Sequence, residues 1–294
     1  MNIAARPLKR IPATRQIEEI SSISDFFEII KKVPSNKNRT NIYRGHPDER
    51  YLLKPSLFRN SGHRNHEKNI LRELISLHPG EFKDDKNVFE QLVRMQHFSL
   101  PTRLLDVTFN PLVGLYFACI SKPNADGQLL RFAVKKSKIK YFDSDTVSCI
   151  SNLSNLTGIE RNLLRKIKTS AELNSEDVGK RLLQFIKSEK AYFLPEIRRE
   201  DLDDILIVRP KQNNRRILAQ QGAFFLFGLT SELPDTNNFD VEVNRISIKS
   251  ASKQNIIAEL DSININISTL FPDIESAAKY IMSKISPLPV VSES

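Results

Sequence analysis

The stretch from Gln96 to Pro111 gathers His97, Thr102, Arg103, Asp106, Thr108 and Asn110 into one short run. His97, with an ordinary pKa near neutrality, reads as a general base or phosphate ligand, or equally as a core histidine that orients the chain. Asp106 reads as a general base or as the buried partner of Arg103. Thr102 and Thr108 offer hydroxyls to a phosphate, or cap the loop. A second focus is Tyr43-Arg44-Gly45. A guanidinium beside a glycine can reach a phosphate or carboxylate without backbone in the way; the alternative is a surface arginine at a turn. The third is Gln220-Gln221-Gly222, preceded by Arg215 and Arg216. An amide there can bond a ribose hydroxyl or a base edge, or be solvated at a helix end. Arg216 faces a phosphate or water.

These residues need elements to hold them. Leu112 to Ile120 is too apolar for an exposed amphipathic helix and reads as a helix buried on most sides. Asn110 suits its N-cap and Pro111 its first position. A polar loop feeding that terminus would meet free N–H groups, an anion site. Ser22 and Asp25 form a capping box for a helix from Ile23 to Val33, with Phe26, Phe27, Ile29 and Ile30 inward. Asn41 to Gly45 reads as a strand ending at the glycine, and Leu52 to Arg59 as extended or turn. Helices follow over 67–77 and 88–95, then the loop. Strands are expected at 127–134, 204–208, 223–227 and 243–248. Helical spacing within 142–190 reads as an insert. Asn214 caps a helix through Gln221 that Gly222 closes; 252–260 and 274–285 are helices, and Ile263 to Ile267 alternates. Residues 1–20 read as an arm and 286–294 as a frayed tail. The expected fold is α+β: a central mixed or antiparallel sheet of short strands flanked by helices, in one domain over 21–285.

Composition narrows the function. The 294 residues are 40% hydrophobic with 17 Phe, which marks a folded chain, and 44 Lys and Arg against 35 Asp and Glu leave +9. That charge favours anionic partners, nucleotide or nucleic acid, although a moderately basic enzyme looks the same. Cys119 and Cys149 lack metal spacing, and Cys119 reads as core. No apolar run is long enough for a membrane span, and no signal peptide is visible, so a cytoplasmic protein is expected. Phosphate-loop, dinucleotide, zinc-protease and nucleophile-elbow motifs are missing, and no metal is expected at His63 and His66. The basic residues lack regular aromatic interleaving.

Tyr43-Arg44-Gly45, Leu53-x-Pro55-Ser56-Leu57-x-Arg59, the run Gln96-His97-x-x-Leu100-Pro101-Thr102-Arg103-Leu104-Leu105-Asp106-x-Thr108-x-Asn110-Pro111, and Leu115-Tyr116-Phe117-Ala118 together resemble the FRG domain. Arg216-Ile217-x-x-Gln220-x-Gly222-x-Phe224 is similar to its later motif and Leu270-Phe271-Pro272-Asp273 to its last, covering roughly residues 40 to 285. The resemblance implies a bacterial effector, in phage defence or toxin-like action. The order of these motifs is also similar to ADP-ribosyltransferases, which implies that core fold and NAD as the ligand. Carried over, Arg44, beside Tyr43 and Gly45, would hold pyrophosphate and Thr108 would support the site. Gln220 or Gln221 would fall near the position of a glutamate. An amide there lacks the charge that stabilises a developing cation, so Asp106 supplies it or the nucleotide is bound without turnover.

The leading expectation is thus a nucleotide-handling effector, able to transfer ADP-ribose or hydrolyse NAD. Asp106, His97 and Gln220 are the candidates for catalysis. Tyr43, Arg44, Gly45, Thr102, Arg103, Thr108, Asn110, Arg216 and Gln221 are the candidates for ligand binding, with Arg44, Arg103 and the Asn110 helix terminus on phosphate. The alternatives are a non-catalytic nucleotide or phage-component sensor and, from the charge with His97 and Asp106, a nucleic-acid binder or nuclease.

Overall fold

The computed structural model describes residues 18–33, 36–234 and 240–285. Its strands are β1 (Glu18–Ile20), β2 (Arg39–His46), β3 (Leu104–Thr108), β4 (Gly127–Lys135), β5 (Ile139–Tyr141), β6 (Ile205–Arg209), β7 (Gly222–Phe227) and β8 (Val241–Ile248). They form one mixed sheet in the order β1-β8-β4-β2-β3-β7-β6-β5. β1 runs parallel to β8 and β5 parallel to β6, and every other neighbour is antiparallel.

The sheet is weakest in its middle. β2 pairs with β4 along its whole length, from Arg39 opposite Lys135 to His46 opposite Gln128, but meets β3 only where Tyr43 faces Thr108. At this seam the sheet folds over. Ile42, Phe132 and Val134 from one half join Ile205, Ile207 and Phe225 from the other in a single apolar cluster. The Phe132 and Phe225 rings meet edge-on at 5.1 Å. Alternation along β2 sends Ile42 into that cluster and Tyr43 to the opposite face, with Leu129, Val113 and Leu115.

Helices cover the two outer faces. Pro111–Cys119, Lys253–Ser262 and Ile23–Lys31 build the core over β2, β4 and β8. Val88–His97 and the helices between Asp145 and Glu189 share a second core with Leu206 and Phe224. The Pro111–Cys119 helix is buried on nearly all sides because no face of it is polar. It lies directly on β2: a Cβ on Gly45 would stand 2.2 Å from the Gly114 carbonyl oxygen and 2.3 Å from the Ala118 nitrogen. Gly45 is therefore required by packing, whatever else it does. The Asn110 side chain accepts from the Leu112 N–H and caps this helix as expected. Asn110→Ala is expected to cost about 1 kcal/mol, read as a lower denaturation midpoint with an unchanged slope.

Several expectations need correction. The supposed loop from Gln96 to Pro111 contains the five-residue strand β3, buried on both faces except at Asp106. A short continuous apolar run carries no periodicity to reveal it. Residues 18–20 are strand rather than arm; 1–17 and the tail 286–294 lie outside the described residues. β2 continues through Gly45 to His46, and Ser56–Arg59 forms a helical turn. Phe27 is exposed, while Phe26 is core. The Arg215–Ala219 helix is closed by Gln221 in left-handed backbone, φ 46°, and Gly222 begins β7. Ile263 to Ile267 is a turn through Asn264, also left-handed, into the short helix Ile267–Leu270. Among the described residues, no helix is long and apolar enough to cross a membrane.

Candidate functional site

Arg44 spans the seam. Its Nη1 donates to the Asp106 carbonyl at 2.6 Å, a bond that stands in for strand pairing there, and its Nε donates to His46 Nε2 at 3.0 Å. His46 is buried, and burial with the nearby Arg44, Arg245 and Arg59 holds its pKa at about 3. The ring is therefore neutral and offers Nε2 as an acceptor. Both acceptors of Arg44 are uncharged.

Across the seam, Thr108 Oγ1 donates to the Gln220 carbonyl at 2.7 Å and accepts from the Asn110 N–H at 2.9 Å. The Gln220 side chain donates to the Leu270 carbonyl at 3.0 Å. Arg216 stacks on Phe271, 4.6 Å from the ring centre, and Phe271 meets Phe117 edge-on at 6.0 Å. No hydrogen bond or ion pair holds the Arg216 guanidinium among the described residues.

Two cavities open here and share a wall of Asp106, Val107, Arg216 and Gln220. The first, about 270 Å³, is lined by Tyr43, Arg44, Gly45, Thr108 and Phe117 besides that wall. The second, about 180 Å³, reaches toward the Val88–His97 helix, over Phe89, Ile217, Gln96 and His97. Its other charges are already paired, Arg94 with Asp85 and Lys211 with Glu90, both at 2.7 Å. His97 lies at this rim, its pKa pushed below the ordinary value by burial and then by Arg216 and Arg94.

The FRG domain family model matches residues 39–127, from β2 through β3 and the buried helix to the start of β4. The chain carries an FRG domain. No curated protein and no solved structure matches the chain. The FRG domain supplies Tyr43, Arg44, His97, Asp106, Thr108 and Phe117, whereas Arg216, Gln220 and Phe271 come from beyond the matched residues.

Three expected ligand contacts within the FRG domain are spent on structure instead. Arg103 is 1% exposed; its Nε and Nη2 hold Glu67 at 2.7 and 2.6 Å, and its Nη1 donates to the Phe227 and Gly228 carbonyls. It neither lines the cavities nor pairs with Asp106. Arg103 stands at a bend just before β3 and turns to Glu67, whereas Asp106 is the exposed position of the strand. Thr102 is fully buried and bonds Gln96 and the Leu104 N–H. The Asn110 side chain is occupied as a cap, so that helix terminus is not an open anion site. Gln221 is exposed and lines neither cavity.

Two residues escaped the sequence reading of roles. His46 sits two positions after Arg44, on the same face of one strand, which is the spacing that should have drawn attention to it. Gln96 donates through Nε2 to Asp106 Oδ2 at 2.8 Å. Both cysteines are buried and free, with thiol pKa values pushed up to about 12 by burial. Among the described residues, no three His, Cys, Asp or Glu converge closely enough to hold a metal ion.

Proposed function

We propose that this FRG-domain protein binds a phosphorylated nucleotide-type ligand, NAD foremost, in the cavities at the β2–β3 seam. One observation carries the reading: Arg44 and Arg216 line the same cavity, and neither forms an ion pair among the described residues. Part-buried guanidiniums whose direct contacts are a carbonyl, a neutral imidazole and an aromatic ring favour an incoming anion. Phe117 adds ring surface, and the Asp106 carboxylate on the shared wall can accept from a ribose hydroxyl. At about 270 and 180 Å³, the two cavities together fall in the lower part of the roughly 300–1,000 Å³ of small-molecule sites.

Asp106 is also the one acid lining the first cavity among the described residues. In NAD cleavage the glycosidic C–N bond breaks, its electron pair leaving with nicotinamide. The carboxylate would stabilise the cation left on the sugar carbon until water or an acceptor adds there and loses a proton. Such NAD consumption would suit toxin-like or antiphage action. Binding without turnover, as in a sensor, is the second reading. It is favoured because the Thr108 hydroxyl and the Gln220 amide are already engaged with main-chain carbonyls.

Purified protein incubated with NAD separates the two readings. Free nicotinamide supports cleavage, and ligand-dependent thermal stabilisation without it supports the sensor. Arg44→Ala and Arg216→Ala are each expected to weaken binding by about tenfold to hundredfold, the worth of a charge-assisted hydrogen bond. Stabilisation left intact in both variants would move the ligand elsewhere.

A further inference from the structure

The side chains behind Asp106 form a chain of hydrogen bonds with a fixed direction. The Leu104 N–H donates to Thr102 Oγ1 at 3.1 Å, so the single hydroxyl proton is free to go onward. It goes to Gln96 Oε1, 2.6 Å away. With its oxygen taken as an acceptor, the Gln96 amide must turn its NH₂ toward Asp106, and Nε2 donates to Oδ2 at 2.8 Å. The order is set at its far end: a carboxylate can only accept, so the amide must present Nε2 to Asp106 and leave Oε1 for the threonine proton. Asp106 is therefore met by a donor and answers as an acceptor. Its other oxygen, Oδ1, has no hydrogen bond among the described residues, and the side chain stands exposed on the wall between the cavities.

We infer that Gln96 and Thr102 are positioning residues that hold the Asp106 carboxylate as a hydrogen-bond acceptor, so that the site selects an anionic ligand that also carries a hydroxyl donor. This rests on the anion-binding reading and names the ligand class within it, a sugar phosphate rather than a bare phosphate. Arg44 Nη1 bonds the main-chain carbonyl of Asp106 itself, which puts the cation and the acceptor on one residue. A ligand spanning them needs its phosphate and its hydroxyl close together, as on a ribose. Thr102 is fully buried and can reach a ligand only through Gln96.

The test compares ADP-ribose, which bears hydroxyls, with inorganic pyrophosphate, which has none, by calorimetry on the full chain. Thr102→Val and Gln96→Met are each expected to weaken ADP-ribose about tenfold while pyrophosphate affinity stays unchanged, and Thr102→Ser restores ADP-ribose binding. Equal losses for both ligands, or no loss for either, would overturn the inference. A ligand-free arm follows the Gln96 side-chain amide by ¹⁵N NMR. A downfield amide proton that disappears in Asp106→Asn and shifts in Thr102→Val supports the relay, and an amide indifferent to both changes overturns it. Wild-type protein that binds neither ligand overturns the anion-binding reading, and the NMR arm still decides the relay.

Discussion

Glu67→Gln is expected to destabilise the protein by about 3–5 kcal/mol, the cost of stripping buried charges of their partner. Glu67 sits at the start of the Glu67–Leu77 helix, 2% exposed, between two guanidiniums. Arg103 holds both its oxygens, and Arg161 Nη1 stands 3.4 Å from Oε2. The glutamine would leave two buried cations facing each other with no anion between them. Burial and the neighbouring Arg103 already lower the pKa of Arg161 against the pull of Glu67. Arg103→Met is expected to cost less, because Glu67 would keep Arg161 and the methionine would fill space beside Phe58. Urea denaturation of the two variants checks the order. A Glu67→Gln protein as stable as Arg103→Met would mean that the second arginine contributes nothing to holding the carboxylate.

The same arginine shows where sequence reading reaches its limit. Arg103 and Asp106 are neighbours in the chain, opposite in charge and set among polar residues, which suggests a pair. Only the knowledge that 104–108 is a strand separates them, and that run, buried on both faces, shows neither the strand nor the helix period. Local signals did better. The caps at Ser22 and Asn110, the helix over 67–77 and the apolar helix after Pro111 are all visible in side-chain chemistry within one turn. The short edge strands β1 and β5 have three residues each, too few for a pattern, and exist because a neighbouring strand offers a ladder. The meeting of Arg44 with Asp106 was legible as a pairing of motifs. Its geometry was not: the guanidinium takes the main-chain carbonyl across a gap in the sheet, and no residue type encodes a missing strand pairing.

That gap makes His46 the group through which acid should destabilise the fold. Its folded pKa is about 3, against about 6.5 for an exposed histidine. Because the folded value is the lower one, the neutral ring's stability is fully present above pH 6.5 and is lost as pH falls toward 3. The slope is about 1.4 kcal/mol per pH unit for one proton, so about 3 kcal/mol goes between roughly pH 6.5 and 4. His97, also shifted down, adds in the same direction. Asp48, which its hydrogen bonds from Arg50 hold far below the usual carboxylate range, and the depressed carboxylates of Asp126 and Asp273 titrate at the acid end of this window or beneath it. Glu189, which burial shifts upward, opposes the loss only near its own range. Denaturation midpoints from about pH 7 to 4.5 measure the slope. His46→Gln keeps an acceptor for Arg44 Nε without a titrating group, and is expected to remove about one proton's worth of it. An unchanged slope in that variant would place the titration elsewhere. In the folded protein the ring protonates only as pH nears 3, so ligand affinity should hold through the interval in which stability falls, and an imidazolium is set against the Arg44 guanidinium only below it.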